Sequence, residues 1–345
     1  MTLAAHLKLK ALELGFDLVG ICPAVPSAHA EFYAQWVEAG CAGEMGYLAR
    51  RIRERSDPRL VWHDCRTIVV VGLNSFVRDE GMGVPGHGVI ARYARRDDYH
   101  NVIKWRLMAL LEWLSGETGR SPASLGRAYV DTGPLLEREL AMRAGLGWIG
   151  KNTCLISHHF GSWLLLGELL LEIELPPDKP WATPHCGTCT RCLEACPTGA
   201  LVEPHLLDAR RCLAYLSIEL RGAIPEALRP LLGHRIFGCD ICQDVCPWNQ
   251  RFSQASSHPA FQPRSDLANP SLLELMTLKD EQFQRRFQGT PVMRAKRRGL
   301  LRNVLVALGN WANPAAQQTL VTALNNPDPL LREHAVWALD RIRCD

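Results

Sequence analysis

Most of the cysteines of this chain are concentrated in one stretch, which restricts what the chain can fold into. Eight of its 13 cysteines lie between residues 186 and 246. They form a run Cys-x2-Cys-x2-Cys-x3-Cys-Pro, one isolated cysteine, and a second run Cys-x2-Cys-x3-Cys-Pro. The eight positions are Cys186, Cys189, Cys192, Cys196, Cys212, Cys239, Cys242 and Cys246. The proline after each run does not allow a helix to continue through it.

This spacing is typical of two iron–sulfur clusters, where three thiolates of a run bind one cluster and the fourth crosses to the other. Cys212 takes the place of the first cysteine of the second run, after a long insertion. The sequence therefore predicts two ligand sets. One [4Fe–4S] cluster would bind Cys186, Cys189, Cys192 and Cys246, and the other Cys196, Cys212, Cys239 and Cys242. Two zinc sites are the alternative, although zinc requires neither the Cys-Pro ending nor the crossing.

The composition indicates a folded protein of two or three domains. The chain has 345 residues, 47% of them hydrophobic, and a formal net charge of +3. A nucleic-acid partner would therefore need a local basic patch. The N-terminal residues resemble an amphipathic helix rather than a signal peptide. Because no apolar run reaches about 18 residues, we expect no membrane span and a cytoplasmic location.

Residues 1–180 are predicted to form an α+β domain with a mixed sheet, because strand and helix patterns alternate along them. The β-branched run 66–73 indicates a strand buried on both faces. Shorter strands are predicted at 16–22 and 128–131, and a longer strand or a strand pair at 164–174. Helices are predicted at 2–15, 32–39, 102–114 and 135–144.

Asp131 is the candidate catalytic residue of this domain. It follows a predicted strand in Val130-Asp-Thr-Gly-Pro134, and strand ends are where α/β proteins place reactive groups. The alternative is that Asp131 caps the next helix, and the same alternative applies to Asp97 and Asp98. The glycine-rich segment 145–152 follows a helix, so it is either a ligand-approach loop or a plain turn.

Other metal or thiol sites are not expected. The pair His158–His159 would face opposite ways on a strand, so packed or solvated roles are favoured. The remaining cysteines are interpreted as small apolar residues. These are Cys22, Cys41, Cys65, Cys154 and Cys344.

Residues 251–345 are predicted to be a linker followed by HEAT-like α-helical repeats. The linker covers 251–270, and helices are predicted at 272–278, 280–287, 299–309, 315–324 and 330–341. Residues 285–302 contain seven Lys or Arg residues and no acid. A one-signed run beside a repeat favours a phosphate-backbone site over a solvated helix face.

Four segments together resemble the epoxyqueuosine reductase family. They are Val130-Asp-Thr-Gly-Pro134, the segment Arg143–Asn152, the run Cys186–Leu201, and Phe237-Gly-Cys-Asp-Ile-Cys-Gln-Asp-Val-Cys-Pro-Trp-Asn249. The resemblance implies reduction of the epoxide of epoxyqueuosine to queuosine, at the wobble position of a tRNA with a queuosine-type anticodon. It also implies base-off cobalamin, used as cob(I/II)alamin and supplied with electrons by two [4Fe–4S] clusters. The absence of Asp-x-His-x-x-Gly agrees with the base-off form.

The resemblance also implies roles for individual residues. Asp131 matches the catalytic proton donor, which can donate only if burial against the corrin raises its pKa. Ala91 falls where some relatives carry a cysteine near cobalt. The implied cobalamin contacts are Arg55, Asp131, Leu155, Leu166 and Ala214. The implied tRNA contacts are Arg294, Lys296, Arg297, Arg298 and Arg302.

The domains expected from this resemblance are a cobalamin-binding catalytic domain (1–180), a ferredoxin-like domain (181–250) and a tRNA-binding domain (251–345). We also expect an external one-electron donor of flavodoxin or ferredoxin type and a monomeric protein. Two other functions stay open from sequence. They are a reductive dehalogenase-like enzyme acting on a small substrate, and a plain electron carrier, for which the large N-terminal domain is superfluous.

Overall fold

A computed structural model of the chain describes residues 1–78 and 83–343. The N-terminal region is built on a sheet with helices on both faces. Its strands are β1 (Leu18–Pro23), β2 (Thr67–Asn74), β3 (Val89–Ile90), β4 (Gly126–Tyr129), β5 (Trp148–Ile149), β6 (Leu155–Ile156) and β7 (Leu164–Leu171). Its helices are α1 (Leu3–Glu13), α2 (Ala30–Glu38), α3 (Gly46–Ala49), α4 (Ile52–Ser56), α5 (Tyr99–Thr118), α6 (Pro122–Leu125) and α7 (Glu137–Arg143).

The main sheet has the order β1-β2-β7-β4, and all three neighbouring pairs are antiparallel. The predicted mixed sheet is therefore wrong. Strand β2 is buried along its whole length, as its apolar run predicted. Such a run reports burial on both faces and carries no information about strand direction. The described residues contain one parallel pair, between β3 and the later strand Arg235–Phe237.

Alternate residues of the central strands pack against different helices. Val69, Val71 and Leu169 share a core with α1 and α5. Ile68 and Val70 share the opposite core with Leu140 of α7. At Gly167, a Cβ atom would approach Ile103 of α5 to 2.5 Å, so glycine permits this close packing of helix on sheet.

The cysteine-rich segment has little regular structure. Its elements are α8 (Arg191–Glu194), β8 (Leu201–Glu203), β9 (Leu206–Leu207), α9 (Leu213–Ile218), β10 (Arg235–Phe237), α10 (Ile241–Asp244) and α11 (Pro247–Phe252). Helices α8 and α10, which carry the middle of each cysteine run, lie against each other. The two halves of the cysteine pattern are therefore neighbours in space.

The C-terminal region is helical at the predicted places. Its helices are α12 (Ser265–Ala268), α13 (Leu272–Met276), α14 (Asp280–Phe287), α15 (Lys296–Trp311), α16 (Gln317–Ala323) and α17 (Pro329–Arg343). Helix α15 packs on α17 and on β10, so the C-terminal helices share a core with Ile90 and Phe237. Within the described residues, none of the helices has both the length and the apolar character required to span a bilayer.

The segment 251–270 is not the free linker that its composition predicted. Phe261 is fully buried in the core formed by α1 and α5. The carbonyl oxygen of Gln254 accepts a hydrogen bond from Asn74, and Arg264 donates to the carbonyl oxygen of Arg286. The segment is therefore packed between the N-terminal core and the C-terminal helices, which its polar composition did not indicate.

Candidate active site

The eight cysteines form two groups in space. The side chains of Cys186, Cys189, Cys192 and Cys246 line one cavity of about 180 Å³, together with Lys151 and Trp248. In the other group, the charges of Cys196 and Cys239 act on neighbouring thiols of Cys212 and Cys242. Each group contains cysteines from both halves of the pattern, in the sets that the crossing predicted.

The four cysteines around this cavity could hold either a [4Fe–4S] cluster or a zinc ion. A zinc site would draw four thiolates onto one centre with bonds of about 2.3 Å. In a cubane, each sulfur binds a different iron. The spacing of the cysteines along the chain, with its Cys-Pro endings, favours the clusters.

Aromatic side chains surround the first group. His158 packs among Trp148, Trp181 and Trp248, and His185 completes the set. The prediction that His158 has a packed role is confirmed by these contacts. An apolar shell of this kind limits the access of water to a metal site.

One cysteine outside the array was misinterpreted. Cys154, predicted to be a plain apolar residue, places its thiol in hydrogen-bond contact with that of Cys242. Cys22 and Cys65 are buried as predicted, and Cys344 lies outside the described residues. Leu155 directly follows Cys154 and Ala214 follows Cys212 by two positions, so both lie next to the second cysteine group.

Asp131 lies just beyond the end of β4, with a backbone φ of 55°. Its side chain is 62% exposed at this edge of the sheet, and we call the solvent-filled space in front of it the crevice. One carboxylate oxygen lies 3.3 Å from Nε2 of His100, whose Nδ1 lies 2.6 Å from Asp98. The Tyr99 hydroxyl also hydrogen-bonds to Asp131.

Asp131 does not cap the helix that follows it, because α7 begins six residues later without a side-chain cap. Asp98, in contrast, caps α5 by accepting from the backbone N–H of His100, so the capping interpretation holds there. The Asp131 carboxylate is therefore not used as a helix cap and faces the crevice.

In the chain itself the pKa of Asp131 is lowered, so the raised pKa that we expect from burial against the corrin stays a prediction. Burial opposes ionisation of the carboxyl, but the hydrogen bond and charge of His100 outweigh it and lower the pKa of Asp131. Burial likewise disfavours the His100 cation, yet its bonds to Asp131 and Asp98 raise the pKa of His100 to about 9. At neutral pH the proton of the pair therefore resides on His100.

Arg55 supports the Asp131 loop from its other side. Its Nη1 donates to the carbonyl oxygens of Gly133 and Leu135, at 3.3 and 3.4 Å. Its Nε is buried and has no hydrogen-bond partner among the described residues. A buried donor without a partner is rare in proteins and calls for a structural explanation.

The other implied cobalamin contacts are mostly apolar and buried. Leu155 and Leu166 are 4% and 9% exposed and belong to one core cluster with Leu135. Ala91 is buried, and a Cβ on Gly238 would lie 2.5 Å from it, so glycine is required beside Cys239.

The basic run is only partly available at the surface. Lys296 is exposed, and Arg294 pairs with Glu219 while lying over the ring of Tyr47. Arg298 pairs with Asp328, and Arg297 donates to the carbonyl oxygen of Leu278.

Arg302 is not a tRNA contact, which corrects the sequence prediction. It is fully buried and donates to the carbonyl oxygens of Leu216, Leu220 and Gly222. These carbonyls lie at and beyond the end of α9, where a helix leaves acceptors unpaired. The charge run therefore includes one arginine that stabilises the interior.

Sequence reasoning missed two carboxyl groups behind Asp131. Oε1 of Glu137 accepts a hydrogen bond from the backbone N–H of Asp131 at 2.6 Å. Glu168 is fully buried on β7, facing Glu137. A signal was present, because Glu168 interrupts the apolar strand Leu164–Leu171 at a position that should be buried.

Comparisons with known proteins agree with this geometry. Residues 185–249 match the model of a 4Fe-4S double cluster binding domain, and residues 55–132 match that of "Epoxyqueuosine reductase QueG, DUF1730". A Pseudomonas aeruginosa epoxyqueuosine reductase is 42% identical over 344 residues, covering 98% of this chain and 94% of the relative.

The chain belongs to the epoxyqueuosine reductase family. A solved structure of an epoxyqueuosine reductase with an epoxyqueuosine-modified tRNA-Tyr stem loop is 30% identical, with a TM-score of 0.90. It covers 99% of this chain and 90% of the other. The epoxyqueuosine reductase of Streptococcus thermophilus is 29% identical, with a TM-score of 0.91 and coverages of 100% and 91%.

Proposed function

We propose that this chain is an enzyme that reduces the epoxide of epoxyqueuosine to queuosine at the wobble position of tRNA. The observation that carries the proposal is the Asp131–His100 pair, in which His100 holds a proton 3.3 Å from the exposed Asp131 carboxylate. Membership in the epoxyqueuosine reductase family supplies the substrate class.

The clusters are proposed to bind as the two cysteine groups are arranged. Cys186, Cys189, Cys192 and Cys246 would hold one [4Fe–4S] cluster, and Cys196, Cys212, Cys239 and Cys242 the other. The second group lies next to Leu155 and Ala214 and so closer to the catalytic crevice. The first group would then be the entry point for electrons from a flavodoxin or ferredoxin type donor.

The crevice also has features that fit cobalamin. Arg55 offers its unpartnered buried Nε, Leu155 and Leu166 offer an apolar wall, and Ala214 adds little bulk. With Asp131 these residues would hold the cofactor in its base-off form. When bound, cobalamin supplies electrons at low potential to the carbon skeleton of the substrate.

Side chains of the protein supply the proton that the reaction needs at the departing oxygen. Conversion of an epoxide to an alkene takes up two electrons and two protons and releases one water molecule. The departing oxygen gains negative charge, so a positioned acid accelerates its departure. Asp131 touches this oxygen in our proposal and passes on the proton that His100 holds, while Asp98 keeps the ring oriented.

The substrate tRNA is proposed to lie along the C-terminal helices, which we regard as HEAT-like repeats. Lys296 and the exposed parts of Arg294, Arg297 and Arg298 would contact phosphates. Arg294 lies over Tyr47, and the charge of Asp131 reaches Tyr47, so this edge borders the crevice. The domains would then be 1–180, 181–250 and 251–345, in a cytoplasmic monomer.

The test is conversion by the full chain after anaerobic purification and reconstitution with cobalamin. Mass spectrometry of nucleosides should show queuosine replacing epoxyqueuosine in tRNA when a chemical reductant is supplied. A reductive dehalogenase-like enzyme would instead release halide from a halogenated phenol and leave the tRNA unchanged, which would overturn the proposal.

A further inference from the structure

Glu168 is a buried acid that the proposed chemistry does not use. It lies in the middle of β7, opposite Val70 on one side and Tyr129 on the other. It shares the face of β7 that carries Leu166 and Leu170, which pack toward α7. Neither carboxyl oxygen has a hydrogen-bond partner of good geometry among the described residues, and the group facing it is the carboxyl of Glu137.

Glu137 connects this buried acid to the active site. It is the first residue of α7, and its Oε1 accepts from the backbone N–H of Asp131 at 2.6 Å. Asp131 is in the left-handed region, which a residue with a side chain occupies only when its surroundings hold it there. Arg55 holds the same loop through the carbonyl oxygens of Gly133 and Leu135.

We propose that Glu137 and Glu168 share one proton, and that this carboxyl pair holds the Asp131 peptide in the conformation that aims its side chain into the crevice. Both are positioning residues, and their role in catalysis rests on the proposed function. In this arrangement Glu168 carries the proton and donates a hydrogen bond to one carboxylate oxygen of Glu137. The other oxygen of Glu137 accepts the hydrogen bond from the backbone N–H of Asp131.

The surroundings of the pair favour one shared proton. Burial, followed by the charges of Glu137 and Asp131, raises the pKa of Glu168 well above its usual range. The other groups facing the pair are Arg138 next to Glu137, Tyr99 on α5 and the Cys22 thiol on β1. Burial keeps Tyr99 and Cys22 neutral, so Arg138 is the positive charge that partly offsets the two carboxylates Asp131 and Glu137.

The direct readout is hydrogen exchange of the Asp131 amide, measured as a protection factor in the peptide covering residues 128–136 of the full, cluster-loaded chain. Glu137→Ala should lower the protection about tenfold, because one hydrogen bond to a charged acceptor is lost. Glu168→Leu should lower it as well, because Glu137 loses the partner that orients it. Glu168→Gln should restore it, since an amide can donate to Glu137.

The pH dependence separates a shared proton from simple packing. A raised pKa means that the proton is held at low pH and lost as the pH rises, and burial raises the pKa of Glu168, which carries the proton, well above its usual range. Wild-type protection of this amide should therefore fall in alkaline buffer, while Glu168→Gln, which has no proton to lose, stays constant. Glu172→Gln, at a partly exposed carboxyl beyond the end of the same strand, should behave like the wild type.

Each outcome has one meaning. Equal protection in the wild type, Glu137→Ala and Glu168→Leu would overturn the inference, as would a Glu168→Gln profile that falls with pH like that of the wild type. These exchange measurements require no substrate, so a chain that shows the predicted pattern but does not convert epoxyqueuosine would contradict only the proposed function.

Discussion

At the scale of single residues, the active site depends on groups that are distant in sequence and adjacent in space. Asp131 and His100 are 31 positions apart, and their side chains lie 3.3 Å from each other. This contact lowers the pKa of Asp131 and raises that of His100, so the imidazole holds the proton. The sequence predicted Asp131 from its strand-end motif. It did not predict the pairing with His100, because the register of α5 against β4 is set by packing across the sheet.

The His100–Asp131 pair predicts how the single-turnover rate changes with pH. The pKa of His100 is raised to about 9, so the proton is present below that pH and is lost above it. We expect the single-turnover rate to fall as the pH rises through about 9. His100→Gln should be slow throughout and lack this alkaline fall, as a pH–rate profile would show. His63→Gln, in an exposed His–Asp pair, should keep the wild-type profile, and loss of the fall there would point to a general effect.

At the scale of elements, helix α15 illustrates what a charge run can and cannot indicate. The run 285–302 predicted a basic surface, and Lys296 and Arg298 do lie on it. Arg302 lies one turn beyond Arg298, on the same side of the helix, yet that side meets the end of α9. Periodicity places residues on a face but does not show which neighbour covers it. The antiparallel sheet was missed for a similar reason, since apolar runs do not encode direction.

Replacing Arg302 should therefore affect stability rather than tRNA binding. Arg302→Ala removes the donor to three carbonyl oxygens, two of them in buried hydrogen bonds, and we expect a loss of at least about 1–3 kcal/mol in unfolding free energy. Thermal unfolding under anaerobic conditions would measure it. A variant with wild-type stability and weakened tRNA binding would restore the original interpretation of Arg302 as a tRNA contact.

Lys296 should behave in the opposite way. Because its side chain is exposed, Lys296→Ala should keep the wild-type unfolding temperature. It should weaken tRNA binding and reduce the slope of log affinity against log salt by about 1. Lys104→Ala, an exposed lysine on α5, serves as a comparison with equal loss of charge. An unchanged slope in Lys296→Ala would remove this edge from the tRNA site.

At the scale of the whole molecule, the cysteine array organises the chain more than any other feature, and its spacing predicted which sulfurs lie together. Helices α8 and α10, which carry the middle of each cysteine run, are in contact, as the crossing requires. The sequence could not reveal that 251–270 is packed, because buried residues such as Phe261 and Leu267 are isolated in a mostly polar segment. It also gave no indication that Cys154 touches Cys242.

Iron analysis of paired variants tests the crossing. If Cys189 and Cys246 bind the same cluster, Cys189→Ala combined with Cys246→Ala should retain about half of the wild-type iron. Cys239→Ala combined with Cys246→Ala should lose nearly all of it, and Cys41→Ala, outside the array, should lose none. Similar iron contents in the two double variants would contradict the crossed ligand sets.

The most direct test of the central claim is a single turnover of epoxyqueuosine-containing tRNA by Asp131→Asn. The variant should bind both clusters, cobalamin and tRNA like the wild type, and form queuosine about 10²–10⁴-fold more slowly, as expected when a positioned acid is lost. Asp64→Asn, which alters an exposed Asp–His pair, should react at the wild-type rate. Queuosine formation at the wild-type rate by Asp131→Asn would contradict the claim that Asp131 delivers the proton.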